Sequence, residues 1–288
     1  MRAWHCHGRT QKELVDRLTQ AGIVTSPQVR AVLQQVDRQY YIPNNPYQDA
    51  PQTLGHGQTI SAPHMHAHAL QEMVPHLLQQ CQSQTSSVLK ILDVGCGSGY
   101  LTACLGRWFQ TRPKQTDHNT HESIIPCKGR VFGIDIVPSL VQLSKNNILK
   151  HDKDLIDTGT VTLQLSNGWD GLPEEAPFAA IHVGAAAPSF PHQLAQQLAI
   201  GGVMIVPIGP TGGVQTLVKV IRTGNQGTAT TSFVQSDFQI SELLGTNGRH
   251  VPTMDASSLV FCLWRISHAR FLFSILIAVR YVPLVEGP

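Results

Sequence analysis

The pattern of apolar and polar positions predicts alternating helices and strands along the chain. Residues 10–21 and 26–36 repeat apolar side chains at helical spacing, and Ser26-Pro27 is a typical helix start. Runs that are typical of strands occur at 88–94, 129–136, 160–165, 178–186 and 201–209. Helical patterns at 138–150 and 194–198 separate some of these runs. This order predicts an α/β fold with a doubly wound, mostly parallel sheet and N-terminal helices.

Length and charge limit the class of protein and of partner. The 288 residues contain 42% hydrophobic residues, enough for one large core without a second domain. The formal net charge is +2, and the sequence has no Lys/Arg run with interleaved aromatic residues. Since nucleic-acid binding demands a basic surface, we expect a small molecule or a polypeptide as the partner.

A glycine-rich loop, Gly95-Cys96-Gly97-Ser98-Gly99, follows the first of the buried strands and precedes a helical pattern. Glycines at these positions let the backbone approach a ligand closely, and Asp93 at the strand end can bond to groups above the sheet. The dinucleotide fingerprint requires its third glycine at the position of Tyr100. The loop therefore favours a nucleoside without phosphates.

An acidic residue, Asp135, ends the second strand. An acid at this point of a nucleotide-binding sheet accepts hydrogen bonds from ribose hydroxyls, usually about 20 residues after the glycines. Asp135 lies farther away, because the polar segment 110–128 has no period and is interpreted as an inserted surface loop. The ribose role is favoured, and a surface acid is the alternative.

Polar residues gather upstream in the segment Gln58-Thr59-Ile60-Ser61-Ala62-Pro63-His64-Met65-His66-Ala67. Ser61 is predicted to be a helix N-cap, with Pro63 in the first turn. Thr59, Ile60 and Ser61 then lie at a helix N-terminus, where free N–H groups and the helix dipole favour an anion such as a carboxylate. A plain helix cap is the alternative.

A turn at Asn167-Gly168 follows the strand at 160–165. In a parallel sheet this turn lies beside the glycine loop, so that Asn167 can contact a nucleobase. A simple Asn-Gly turn explains the same residues equally well.

Cysteines and histidines carry no metal or disulfide signal. The six cysteines lack Cys-x-x-Cys spacing and the N-terminus lacks the apolar core of a signal peptide, so we expect a reducing, cytoplasmic location. Of His64, His66 and His68, only the first and last share a helix face, and no carboxylate accompanies them at ligand spacing. We therefore expect no metal.

Several motifs together resemble the protein-L-isoaspartate (D-aspartate) O-methyltransferase family. The matching motifs are Asn45-Pro46-Tyr47, Thr59 to Ala67, Leu92-Asp93-Val94-Gly95, Gly133-Ile134-Asp135, Ala180 to Ala186, Gly201-Gly202 and Tyr281-Val282-Pro283-Leu284. The glycine loop alone indicates only some methyltransferase that uses S-adenosylmethionine. The Thr59-Ile60-Ser61-Ala62-Pro63-His64-Met65-His66 segment is specific to this family.

This resemblance implies a Rossmann-like methyltransferase fold and methyl transfer from S-adenosyl-L-methionine to the α-carboxyl of L-isoaspartyl and D-aspartyl residues in damaged proteins. A carboxylate is already ionised at neutral pH, so no general base is needed. Ser61 is the implied catalytic residue, which orients the substrate carboxylate. The residues expected to bind the cofactor are Gln58, Thr59, Ile60, Ser61, His66, Asp93, Gly95, Cys96, Gly97, Ser98, Gly99, Asp135, Asn167 and Gly168.

Two other functions stay open, a small-molecule methyltransferase and an inactive protein that only binds partners. We expect a monomer whose partners are proteins and peptides with isoaspartyl residues, and no nucleic acid or membrane.

The chain departs from the family pattern at a few positions. Asn167 replaces the usual Asp, Ala179 replaces an Asp that commonly begins the fourth strand, and Val285 replaces a Thr after Tyr-Val-Pro-Leu. The largest departure is the segment 246–278, because its removal would restore the family's final strand. We interpret 1–288 as one methyltransferase domain with an insertion there, either genuine or from a retained intron or gene-model error. The apolar run 271–279 is shorter than the roughly 20 residues that span a bilayer.

Overall fold

A sheet of seven strands is the centre of the fold. The computed structural model describes residues 6–55, 57–83, 88–111, 114–116, 122–124, 127–210, 213–224 and 238–242. The predicted insertion at 246–278 and the final strand with Val285 lie outside the described residues.

Within this part of the chain, the five predicted strands are present, together with strands that were not predicted. The helices are α1 (Gln11–Gln20), α2 (Pro27–Gln35), α3 (Pro63–Ser83), α4 (Tyr100–Gln110), α5 (Pro138–His151), α6 (Lys153–Asp157) and α7 (His192–Gln196). The strands are β1 (Gln52–Gly55), β2 (Gln58–Ile60), β3 (Leu89–Val94), β4 (Lys114–Thr116), β5 (Glu122–Ile124), β6 (Gly129–Asp135), β7 (Val161–Leu165), β8 (Phe178–Val183), β9 (Leu198–Ile208), β10 (Thr216–Arg222) and β11 (Phe238–Glu242). The predicted strands are β3, β6, β7, β8 and β9, whereas β1, β2, β4, β5, β10 and β11 were not predicted.

The strand order in the seven-stranded sheet is β11-β10-β9-β8-β3-β6-β7, and this order places a ligand crevice at the centre of the sheet. Strands β7, β6, β3, β8 and β9 are parallel, and β10 is antiparallel to both β9 and β11. From β3 the chain builds β6 and β7 on one side and then crosses to β8 and β9 on the other. In open α/β sheets, ligands bind above the carboxyl ends of the strands where the order reverses in this way. Here that point lies at the ends of β3 and β8.

The two N-terminal helices begin and end close to their predicted positions. The Thr10 hydroxyl accepts a hydrogen bond from the N–H of Glu13 at 3.2 Å, and the Ser26 hydroxyl accepts one from the N–H of Val29 at 3.4 Å. Both are typical N-caps, which satisfy backbone donors that the first helical turn leaves free. Helix α2 packs against α3 and α4, so this helical layer lies on the helix that follows the glycine loop.

The N-cap prediction for Ser61 is wrong. Helix α3 begins at Pro63, and the carbonyl of Ala62 accepts hydrogen bonds from the N–H groups of Met65 and His66. Ala62 therefore occupies the cap position, because Pro63 has the fixed backbone geometry of a first helical residue. Ser61 lies two residues before the first residue of the helix.

Two other segments differ in detail from their predicted form. The helix expected at 194–198 is α7 at His192–Gln196, and Leu198 already belongs to β9. The segment 110–128 contains a two-stranded antiparallel hairpin of β4 and β5, and its pairing is Lys114 with Ile124 and Thr116 with Glu122.

A disulfide joins Cys81 near the end of α3 to Cys127 just before β6, with a Cα–Cα distance of 5.4 Å. The bridge differs from the expectation drawn from the cysteine spacing, since a reducing location disfavours disulfides. It links the last turn of α3 to the residues just before β6.

Candidate active site

A cleft lies at the carboxyl ends of β3 and β8, where the glycine loop faces the segment before α3. Nine predicted residues line it, namely Thr59, Ile60, Ser61, His66, Asp93, Gly95, Cys96, Gly97 and Ser98. Leu54, Tyr100, Leu101, His182 and Gly184 also line it and were not among the predicted site residues. The structure therefore brings the two main motifs of the sequence to one cavity.

The glycine loop has a conformation that requires glycine. Gly95, Gly97 and Gly99 have φ angles of +76°, +54° and +85°, a region that residues with a side chain rarely adopt. A side chain at position 99 would also lie 3.0 Å from the Cβ of Ser144 in α5. Gly99 therefore shapes the loop and permits its packing on α5 rather than lining the cleft.

Ser98 is a free polar group in the cleft. Its side chain is 2% exposed, and its hydroxyl has no hydrogen-bond partner in the part of the chain that the structure describes. Since buried hydroxyl groups are nearly always paired, an orphaned one at the cleft wall fits a ligand with polar groups. A nucleoside cofactor meets that requirement.

The Asp93 carboxylate is contacted by two other side chains of the protein. Its carboxylate accepts a hydrogen bond from the Thr102 hydroxyl at 2.5 Å, and Nδ1 of His182 lies 2.8 Å from its other oxygen. Asp93 and His182 are register neighbours on β3 and β8, so the sheet itself creates this contact. Asp93 therefore holds the cleft wall together.

Asp135 lies at the end of β6, beside the glycine loop but outside the lining of the cleft. Its carboxylate accepts hydrogen bonds from the N–H of Gly97 at 3.1 Å and of Val137 at 3.0 Å. Burial raises the pKa of this carboxyl above its ordinary value, although the two N–H groups act in the opposite direction. Each oxygen can still accept a second hydrogen bond.

Ser61 and His66 are both held by a buried arginine. Arg38 donates through Nη2 to the Ser61 carbonyl at 2.5 Å, and its Nη1 lies 3.0 Å from Nδ1 of His66. Burial and the neighbouring Arg38 charge hold the pKa of His66 well below its ordinary value. The sequence did not point to Arg38, since a single arginine in a polar turn has no distinguishing pattern.

Asn167 lies in a neighbouring groove with Trp169, Asp170, Phe190, Pro191, His192 and Gln193. Its side-chain oxygen accepts a hydrogen bond from the N–H of Trp169 at 3.1 Å, which closes a local turn. Gly168 is buried in that turn, and Gln58 begins β2 beside the cleft. The structure thus shows the turn, and the nucleobase contact stays a prediction.

The histidines at the start of α3 have separate partners. Nδ1 of His64 lies 2.7 Å from the Asp49 carboxylate, whereas His66 contacts Arg38. Among the described residues, no three His, Cys, Asp or Glu side chains are grouped as metal ligands.

His182 and Gly184 had one usable signal in the sequence. They lie in the second half of the apolar run 178–186, and a polar residue such as His182 in a buried strand next to the glycine loop is a candidate for the cleft. Placing them there required the pairing of β3 with β8.

An open parallel sheet with a cleft at its switch point and a glycine loop suited to a nucleoside defines a Rossmann-like α/β protein with a cofactor site. The sequence profile of the family Protein-L-isoaspartate(D-aspartate) O-methyltransferase (PCMT) matches residues 9–238. The chain belongs to this family of methyltransferases.

Known proteins support this membership. The protein-L-isoaspartate O-methyltransferase of Caenorhabditis elegans is 38% identical over 218 residues, which cover 76% of this chain and 86% of the relative. That of Triticum aestivum is 38% identical over 199 residues, covering 68% and 76%. A Plasmodium falciparum protein described as such a methyltransferase, solved with S-adenosyl-L-homocysteine, has a TM-score of 0.65 and 28% identity, and the match covers 86% of this chain and 99% of that one. The predicted family, fold and enzyme class are confirmed.

The described helices are all too short or too polar to cross a membrane. The segment 246–278 lies beyond the residues that the family profile matches.

Proposed function

We propose that this chain uses S-adenosyl-L-methionine to methylate the free carboxyl group of altered aspartyl residues in damaged proteins and peptides, which is the α-carboxyl of L-isoaspartyl residues and the β-carboxyl of D-aspartyl residues. The observation that carries the proposal is that Ser61 and the glycine loop line the same cleft. A cofactor held by the loop and a carboxylate held beside Ser61 would then be neighbours.

The residues of the cleft suit a nucleoside cofactor. The Ser98 hydroxyl is buried without a described partner, and Asp135 keeps acceptor capacity for ribose hydroxyls. Gly97 leaves room for a close approach, since a Cβ there would lie 3.3 Å from the Leu54 side chain. When bound, S-adenosyl-L-methionine supplies a methyl group on a positively charged sulfur that a nucleophile can attack directly.

The substrate supplies the nucleophile. A carboxyl group with an ordinary pKa is ionised at neutral pH, so no residue has to remove a proton. The task of the chain is to hold a carboxylate oxygen in line with the methyl group, and such positioning can lower a barrier by roughly 7 to 11 kcal/mol. Ser61 lies just before α3, where its hydroxyl and the helix N-terminus can orient that carboxylate.

A transfer assay with matched peptides tests this function. The full chain is incubated with S-adenosyl-L-methionine labelled in its methyl group and either an isoaspartyl peptide or the same peptide with a normal aspartyl residue. We expect base-labile label on the isoaspartyl peptide alone. Equal labelling of both peptides, or of neither, would contradict the proposal.

Calorimetric titration with S-adenosyl-L-homocysteine separates the two kinds of failure. Binding without transfer to either peptide indicates a methyltransferase with another substrate, such as a small molecule. Absence of binding indicates a protein that has lost its cofactor site.

The remaining parts of the proposal concern the whole chain. We propose that 1–288 is one methyltransferase domain, interrupted at 246–278, and that it is a cytoplasmic monomer. Light scattering on the purified protein tests whether it is a monomer. Sequencing of the transcript across positions 245–279 tests the interruption, since a dominant transcript that carries it and yields active protein excludes a gene-model error.

A further inference from the structure

Arg38 is a buried charge beneath the cleft. It lies in a single 3-10 turn, Arg38–Tyr40, and its side chain is 0% exposed. The guanidinium carbon lies 5.0 Å from the centre of the Tyr100 ring, and Tyr100 lines the cleft. Among the described residues no carboxylate forms an ion pair with Arg38, since Asp49, whose charge acts on the guanidinium, contacts His64 at 2.7 Å. The Nε of Arg38 has no hydrogen-bond partner among these residues.

A buried charge without an ionic partner destabilises the fold. The presence of Arg38 at this position therefore indicates a role other than stability. Burial lowers the pKa of Arg38 to about 10, which still leaves the guanidinium charged at neutral pH. Its two described side-chain hydrogen bonds go to the Ser61 carbonyl and the His66 ring, both in the wall of the cleft.

The contact with His66 determines where the imidazole proton lies. A guanidinium has five donors and no acceptor. Nδ1 of His66, 3.0 Å from Nη1 of Arg38, must therefore be the acceptor, which leaves the single ring proton on Nε2. His182 has the opposite arrangement, because its Nδ1 faces the Asp93 carboxylate and so carries the proton.

We propose that Arg38 is a positioning residue for methyl transfer, which fixes His66 as the neutral Nε2–H tautomer so that His66 donates a hydrogen bond to a carboxylate in the cleft. The same guanidinium holds the Ser61 carbonyl and thereby the backbone next to the substrate site. This inference rests on the proposed function, which puts two carboxylates in reach, that of the cofactor's amino acid portion and that of the substrate. The buried positive charge favours either of them.

The tautomer can be read in the wild-type protein. Nitrogen-15 NMR of the histidine rings at neutral pH should show His66 with a bare Nδ1 and a protonated Nε2, and His182 with a protonated Nδ1 in the same spectrum. A proton on Nδ1 of His66 would overturn the proposal. This measurement needs neither activity nor a variant, so it can be interpreted even if the proposed function fails.

A double-mutant cycle tests the positioning role. In His66→Gln the amide nitrogen occupies the place of Nε2 and donates without help from Arg38. We expect Arg38→Met to lower kcat/KM roughly tenfold or more in the wild-type background and clearly less in the His66→Gln background, since coupled residues are not additive. Additive losses would mean that Arg38 acts independently of His66.

Matched variants complete the test. Arg30→Met removes an exposed arginine that pairs with Asp16, and kcat/KM should stay unchanged. Arg38→Lys keeps the charge with one donor group and should recover part of the loss if Arg38→Met folds poorly. If Arg38→Met binds S-adenosyl-L-homocysteine more weakly, the carboxylate that accepts the hydrogen bond from His66 is that of the cofactor. If instead the KM for the isoaspartyl peptide rises, it is that of the substrate. If kcat, KM and the affinity for S-adenosyl-L-homocysteine are all unchanged in Arg38→Met, the positioning role is refuted.

Discussion

The carboxylate of Asp135 accepts a hydrogen bond of 3.1 Å from the backbone N–H of Gly97, which joins the end of β6 to the glycine loop after β3. The residue expected to bind the ribose also supports the loop that approaches the cofactor. Loss of this carboxylate should therefore affect both the binding of the ribose and the conformation of the glycine loop.

Asp135→Asn should weaken the binding of S-adenosyl-L-homocysteine. One side of the amide can no longer accept from Gly97 or Val137, and hydrogen bonds to a charged group contribute about 1.5 to 3 kcal/mol, or roughly 10- to 150-fold in the dissociation constant. Calorimetry measures this change. Asp157→Asn, at an exposed acid that pairs with Lys153, is the matched control. Equal affinities of the two variants would argue against the ribose role.

Ser61→Ala should slow turnover on an isoaspartyl peptide roughly tenfold to a hundredfold, because the hydroxyl that orients a charged group is lost. Ser83→Ala is the control, since Ser83 is the last residue of α3, about 30 Å along the helix from the end that Ser61 precedes, and should leave the rate unchanged. An unchanged rate in Ser61→Ala would remove Ser61 from the catalytic role.

Asn167→Asp should tighten the binding of S-adenosyl-L-homocysteine by up to about tenfold, because a charged acceptor forms the stronger hydrogen bond with the adenine amino group. A carboxylate can still accept from the N–H of Trp169, so the turn is preserved. Asn146→Asp adds the same charge on the exposed side of α5 and serves as the control. If both variants bind like the wild type, Asn167 only forms the turn.

Gly99→Ala should destabilise the fold more than Gly22→Ala does. Both glycines have a positive φ, +85° and +73°, so each substitution introduces backbone strain of about 1 to 2 kcal/mol. Only at Gly99 would the new Cβ meet Ser144 at 3.0 Å, whereas nothing lies within 4 Å at Gly22. Overpacking of that kind adds about 1 to 3 kcal/mol. Urea unfolding measures the free energy of unfolding of the two variants. Equal losses would show that α5 shifts to accommodate the new Cβ at no energetic cost.

Reduction of the Cys81–Cys127 bridge should lower the free energy of unfolding by about 2 to 4 kcal/mol, since the bridge closes a loop of 46 residues in the unfolded chain. Unfolding with and without a reductant measures the difference. A Cys81→Ser variant should no longer respond to the reductant. Mass spectrometry that finds both thiols free in the native protein would show that the bridge does not form.

The sequence by itself determined the features that depend on local order. Helical spacing and helix caps located α1 and α2 to within a residue or two, and buried apolar runs located β3, β6 and β8. The glycine loop was also recognisable, because positive φ angles require glycine. The motif around Ser61 indicated the family, although its carbonyl contact with Arg38 and its place outside α3 were not visible.

Only the tertiary structure decided which distant residues meet. Arg38 reaches Ser61 and His66 through the packing of the N-terminal layer, and Asp93 meets His182 through the register of β3 with β8. The disulfide between Cys81 and Cys127 has the same origin. Periodicity reports which face of an element is buried, whereas these contacts depend on the neighbour that each face packs against. That choice is made by the order of the strands and the packing of the helices over the whole sheet.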